Sequence, residues 1–356
     1  MPSKVNRASA EKFSAMKSSD SAATAAWIAE LREAYSDPLA LLRDLEIAPS
    51  AVPLSASASA TFRFRVTRAF ARRMQAGNPR DPLLLQVLPL ADECQSNIGF
   101  GSDPVGDRLA ARSPGLLHKY SGRALLIMTG GCAIHCRYCF RREFPYIESV
   151  GRAQLAHALA QIAADRSISE VILSGGDPLL LDDAALSTVI ESLAAMPHIR
   201  RVRVHSRLPI VLPNRMTFPL IAALTSTRLP IVLVIHANHA QELDASVAVA
   251  CRQLRQAGIT LLNQAVLLHD INDDADTLVA LSDQLFAIGV LPYYLHLLDR
   301  VRGAAHFEVA ESTARDLQAR LRARLPGYLV PRFVREIAGE SYKRPLGENE
   351  PVADQL

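Results

Sequence analysis

Six short apolar runs, most of them followed by a stretch of helical periodicity, constrain this chain more than any other feature. They are residues 124–128 (ALLIM), 171–173 (VIL), 202–204, 231–235 (IVLVI), 261–268 and 291–295 (LPYYL). From the second onward their starts recur roughly every 30 residues, the length of one strand-plus-helix unit. Helical patterns occupy 152–164, 183–195, 244–257, 275–288 and 311–324. Strands apolar on both faces must be covered on both, which predicts a parallel sheet under helices. Six units fit a doubly wound open sheet or a partial barrel. Polar residues discriminate, because they follow nearly every run: 130–139, 174–178, 205–207, 236–238 and 299–300. Polar groups at many consecutive strand ends suit a barrel mouth, whereas an open sheet gathers them at one crevice. The expected fold is α/β, a partial (β/α)6 TIM-like barrel with a helical N-terminal region.

The texture changes near residue 118, giving four expected segments. Residues 1–25, polar and rich in Ser and Ala, read as a disordered tail; 26–118 as the helical region; 119–325 as the barrel; 326–356 as a C-terminal segment that closes its mouth. Within the helical region, 23–45 carries two amphipathic stretches broken at Asp37-Pro38, and 66–75 reads as a short helix. Residues 48–60 (APSAVPLSASASA) read as a small-residue linker. At 49% hydrophobic and 21% charged, 356 residues exclude collagen-like, disulfide-scaffold and wholly disordered classes. A net charge of +3 implies no nucleic-acid partner, and the basic stripe 63–73 (RFRVTRAFARR) reads as a solvated helix face. No run is long and apolar enough for a membrane span, and the N-terminus lacks the apolar core of a secretory signal. The expected location is cytoplasmic.

Five cysteines, an odd number with three inside 132–139, argue for metal or redox chemistry in a reducing compartment. Cys132-Ala-Ile-His-Cys136-Arg-Tyr-Cys139 is a C-x3-C-x2-C directly after the first strand. Three thiolates on one loop can hold three irons of a [4Fe–4S] cluster and leave the fourth iron for a small molecule. The alternative is zinc, which would want a fourth ligand and finds His135 inside the motif. Ser174-Gly175-Gly176-Asp177-Pro178, after the second strand, is either a turn with Asp177 as a helix cap or a backbone cradle for a ligand.

With an aromatic before its last cysteine, the C-x3-C-x2-C loop resembles the signature of the radical S-adenosylmethionine superfamily. That resemblance implies a partial barrel, a [4Fe–4S] cluster on Cys132, Cys136 and Cys139, and S-adenosyl-L-methionine cleaved to a 5′-deoxyadenosyl radical. Ser174, Gly175, Gly176 and Asp177 then match the turn that receives the methionyl amino group. A narrower match runs from about residue 77. Residues 77–87 (GNPRDPLLLQV), 115–120 (GLLHKY), 139–142 (CFRR), 206–213 (SRLPIVLP), Asn263-Gln264, 292–294 (PYY) and 303–307 (GAAHF) resemble the lysine 2,3-aminomutase family, in its branch that serves elongation factor P.

This narrower resemblance implies isomerisation of L-lysine to (R)-β-lysine with pyridoxal 5′-phosphate as a further cofactor. Lys343, within 338–346 (AGESYKRPL), matches the lysine that carries the pyridoxal group. Lys119, Tyr120 and Arg123 match its phosphate and ring contacts, and Ser206, Arg207, Asn263 and Gln264 further cofactor contacts. Arg141 matches the partner of the substrate carboxylate, since a guanidinium fork suits that group. Asp299 and Glu336 match the two acceptors of the substrate ε-ammonium. Implied partners are lysine, an external electron donor of flavodoxin or ferredoxin type, and, through the product, elongation factor P and its lysine ligase. Two rival functions are an aminomutase of the same family for free lysine catabolism, glutamate or arginine, and an iron–sulfur redox sensor or electron carrier without turnover.

Overall fold

The computed structural model describes residues 25–347. The expected tail, apart from residue 25, lies outside the described residues. Ten strands form one sheet in sequence order: β1 (Ala111–Ser113), β2 (Leu116–Tyr120), β3 (Arg123–Thr129), β4 (Glu170–Gly175), β5 (Arg201–His205), β6 (Ile231–Ile235), β7 (Thr260–Val266), β8 (Leu291–His296), β9 (Arg332–Arg335) and β10 (Arg344–Pro345). Strands β3 through β9 pair in parallel, while β1 and β2 at one edge and β10 at the other run antiparallel. The two edges do not pair with each other, so hydrogen bonds leave the barrel open.

Each of β3 to β8 is followed by a helix, which makes the six expected units. Five of the helices fall where periodicity places them: Arg152–Ala164, Asp183–Ala194, Ala245–Gln256, Ala275–Ala287 and Glu311–Arg324. Side-chain caps start three of them, with Asp182, Asp244 and Asp274 each accepting from the backbone N–H three residues on. The sixth, Phe218–Thr225 (FPLIAALT), is apolar on nearly every side and shows no amphipathic period, so its sequence reads as no particular element. Sheet residues such as Leu126, Leu173, Val204 and Leu233 share one buried core with Leu186, Val247 and Leu281 of the helices.

Three expectations about the N-terminal region need correction. The supposed linker is folded: Pro49–Ala51 is a 3-10 turn and Ala56–Thr61 a helix, capped by Ser55 Oγ accepting from Ala58 N at 3.1 Å. Small residues there allow close approach rather than looseness. The helix expected over 66–75 is only Arg68–Ala71. The basic stripe is not a solvated face. Arg65 donates to Leu31 O at 2.9 Å, Arg68 pairs with Asp44 at 2.8 Å, and Arg73 reaches Ile210 O across to the barrel. The sheet also overruns both expected barrel limits, since β2 starts at Leu116 and β9 lies beyond residue 325. Among the described residues no helix is long and apolar enough to cross a membrane.

Candidate active site

The C-terminal ends of the parallel strands open into a cavity of about 630 Å³. All three motif cysteines line it, as do Arg141, Ser174 to Asp177, Ser206, Arg207, Gln264, Asp299, Glu336 and Lys343. Two chemically distinct groups of residues line it.

One group is the cysteine loop after β3. It is fastened to the N-terminal region by a buried ion pair: Arg137 Nε and Nη2 donate to Glu93 at 2.7 and 2.6 Å, and Arg142 Nη2 reaches the same carboxylate at 2.8 Å. His135 Nδ1 faces the Arg63 carbonyl at 2.7 Å. Burial, then the neighbouring Cys136, pushes the Cys139 thiol up to about 11. Burial, then Cys139, Asp177 and Cys136, holds the Cys132 thiol well above its ordinary range. Thiols held up like Cys132 and Cys139 ionise only beside a strong positive charge, which an iron cluster would supply. Three cysteines on one loop, all lining the cavity, fit such a cluster.

The 174–178 turn packs directly on this loop. Gly176 N donates to Thr129 O at 2.7 Å and Asp177 N to Gly131 O at 2.8 Å. A Cβ at Gly175 would lie 2.5 Å from Thr129 O, and one at Gly176 would overlap Gly131 O. The glycine pair therefore lets two turns touch, a reason the sequence did not reveal. Asp177 is a structural clamp as well as a lining residue. Its Oδ1 accepts from Leu179 N (3.1 Å) and Ser206 Oγ (2.8 Å), and its Oδ2 from Arg207 N (2.8 Å) and Leu208 N (3.2 Å). Asn263 does not line the cavity: its side chain donates to Ala237 O at 3.0 Å and accepts from Ala237 N at 2.9 Å, bracing β7 against the end of β6.

The second group is a chain of ion pairs that starts at Arg141, just beyond the cysteine loop. Asp107 takes Arg141 Nε on one oxygen and Lys119 Nζ on the other, both at 2.6 Å. Lys119 continues to Glu336 at 2.8 Å, and the other Glu336 oxygen holds Lys343. Arg141 Nη1 also donates to Ser174 Oγ at 3.2 Å, joining this group to the turn. Burial raises Glu336, but Lys343 and Lys119 outweigh it and hold the carboxyl well below the usual range. Lys119 and Glu336, matched separately to phosphate and to substrate, are thus paired with each other.

Asp299 differs. Its Oδ1 is buried and has no hydrogen-bond partner among the described residues. Burial, then the nearby Glu336, pushes its pKa up to about 7, against the pull of Lys343 and Lys119. Such a group waits for a cation. Further cations lining the cavity are Arg123, whose guanidinium carbon sits 5.0 Å from the Tyr120 ring centre, and Arg332. An ion-pair chain rich in lysine and arginine, with a lysine on the terminal hairpin, fits a phosphorylated aldehyde cofactor. Asp107 and Arg332 also line the cavity but carry no local sequence signal, while His205 belongs to the strand-end polar stretch 205–207.

An open parallel barrel with a three-cysteine loop after its first parallel strand defines a class. The family model described as the Radical SAM superfamily matches residues 126–216, from β3 past the turn that follows β5. L-lysine 2,3-aminomutase of Escherichia coli is 49% identical over 90% of this chain and 94% of its own. The Haemophilus influenzae protein of that name is 46% identical over 89% and 94%, and that of Clostridium subterminale 34% identical over 81% and 70%. The chain belongs to the L-lysine 2,3-aminomutase family.

Proposed function

We propose that this protein isomerises L-lysine to (R)-β-lysine, moving the amino group from C2 to C3. The observation that carries the reading is the cavity itself: three cysteines on one loop, Lys343 in an ion-pair chain, and an unpartnered Asp299 oxygen buried between strand ends. When bound, a [4Fe–4S] cluster with S-adenosyl-L-methionine supplies a hydrogen-abstracting radical, and pyridoxal 5′-phosphate supplies a carbonyl that carries the migrating nitrogen.

The chain's own residues bind, orient and shield. Cys132, Cys136 and Cys139 hold three irons. Ser174 to Asp177, with Ser206 and Gln264, receive the methionyl cofactor beside them. Lys343 carries the pyridoxal group, and Arg123, Arg332 and Lys119 supply cations for its phosphate. Arg141, oriented by Asp107, presents its fork to the substrate carboxylate. Asp299 takes the ε-ammonium, and that pairing keeps its carboxylate ionised. Glu336 holds the Lys343 amine. On this reading 119–325 is the catalytic unit, 26–118 supports the cluster loop, and the segment from 326 onward closes the mouth. The electron for the cluster comes from a flavodoxin- or ferredoxin-type donor. The resemblance to the branch serving elongation factor P supports a cytoplasmic role in supplying β-lysine to that factor's ligase.

Anaerobic reconstitution with iron, sulfide, pyridoxal phosphate and S-adenosylmethionine, followed by chromatography and mass analysis, tests the reading. Lysine should give β-lysine, whereas glutamate and arginine should give no isomer. Turnover of glutamate in preference to lysine would overturn the substrate, and a loaded cluster without any amino-acid product would overturn the enzyme.

A further inference from the structure

Beside the cysteine loop lies a buried polar network that the proposed chemistry does not use. Its centre is Arg207, on the turn after β5. Arg207 Nη1 donates to Cys136 Sγ and to Tyr138 OH, both at 2.7 Å. Its Nη2 donates to Gln86 Oε1 at 2.6 Å and to Glu242 Oε2 at 3.0 Å. Gln86 and Glu242 are completely buried. Glu242 is itself fixed, since its other oxygen accepts from Asn238 N (2.9 Å), His239 N (3.2 Å) and Gln86 Nε2 (3.2 Å). Arg207 N donates to Asp177 Oδ2, so the 174–178 turn also fixes the root of the side chain.

Resting on the cluster assignment made above, we infer that Arg207 is a positioning residue that sets the reduction potential of the cluster through Cys136. A guanidinium keeps its charge at any working pH. Here it lies at hydrogen-bond distance from one of the three sulfurs, and its counter-charge, Glu242, binds the other nitrogen. One terminal nitrogen thus meets the Cys136 sulfur, and the other holds the counter-charge. Hydrogen bonds and charge at ligand sulfurs are among the levers that tune iron–sulfur potentials. The Arg207 cation at that sulfur would stabilise a cluster reduced by one electron from the donor protein over the oxidised one. Both terminal nitrogens are committed to protein groups, which leaves only Nε, buried and without a hydrogen-bond partner among the described residues, outside the network. This favours a role toward the sulfur over one toward the methionyl carboxylate.

The test is a redox titration of cluster-loaded protein without S-adenosylmethionine, read by electron paramagnetic resonance of the reduced cluster. Arg207→Gln should shift the midpoint potential negative at full iron content, and Arg207→Lys, which keeps the charge without the fork, should fall between it and wild type. Glu242→Gln removes the counter-charge and should shift the potential positive. Opposite signs are the expectation that a general packing defect would not produce. If Arg207→Gln loads no cluster, the positive shift in Glu242→Gln still decides. Potentials equal to wild type, or shifts of one sign in both variants, overturn the inference, as does weaker S-adenosylmethionine binding at an unchanged potential. Normal β-lysine formation by wild type alongside unmoved potentials would sink this inference alone. A wild type that takes up no iron would sink the functional reading with it.

Discussion

Asp299 is the residue on which substrate choice turns. A buried carboxylate oxygen without a partner is costly unless a cation arrives, so the site rewards an ammonium of the right reach. Asp299→Asn should cut kcat/KM for lysine strongly. Its upper limit is about 3–5 kcal/mol, the range for breaking a fully buried pair. Uncoupled S-adenosylmethionine cleavage should persist, because the cysteines occupy a different loop. The pH dependence has a definite sign. With the Asp299 pKa near 7, protons below that value convert it to the neutral form that binds ammonium poorly. kcat/KM, which reports the free enzyme, should therefore fall as pH drops through about 7, and Asp299→Asn should lack that limb. Glu336 contributes no such limb, since its two lysines keep it ionised. The cysteines and Asp299 carry a local mark in the chain, a spacing motif and a strand-end position, whereas Lys343 is singled out only by the family resemblance. The partnership of Lys119 with Glu336 carries no such mark. It joins residues 217 positions apart, and only the folded sheet brings them together.

At the scale of elements, the cluster loop depends on two contacts that substitution can break. Gly176→Ala would drive a methyl group into the Gly131 carbonyl, where backbone rather than a movable side chain stands in the way. We expect a loss of roughly 1–3 kcal/mol, typical of overpacking, together with reduced iron content; denaturant unfolding and iron analysis read both. Glu93→Gln leaves Arg137 and Arg142 without their shared carboxylate. Breaking a buried pair in this way costs about 3–5 kcal/mol, which should appear as a lowered denaturation midpoint. Strands β3 to β8 were legible because each carries an apolar run, at a steady interval from β4 onward. The flanking strands were not: β9 is four residues with an arginine at either end, and β10 only two. Neither offers the alternation that marks a strand. The helix Phe218–Thr225 escaped for the opposite reason, being too uniformly apolar to show a period.

For the whole molecule, the open barrel allows groups far apart in sequence to share one chamber. The cysteine loop follows the first parallel strand, and Lys343 sits where β10 folds back along β9, the last. That geometry is the central claim: a radical source on one loop and a pyridoxal carrier on the terminal hairpin, separable by mutation. The direct measurement compares anaerobically reconstituted wild type with Lys343→Ala, assaying iron, S-adenosylmethionine cleavage, borohydride-fixed cofactor and β-lysine on the same samples. Wild type should carry the fixed cofactor on the peptide containing Lys343. Lys343→Ala should keep its iron and its S-adenosylmethionine cleavage, fix no cofactor and form no β-lysine. Cofactor fixed to a different lysine, or β-lysine formed by the variant at the wild-type rate, would contradict the account.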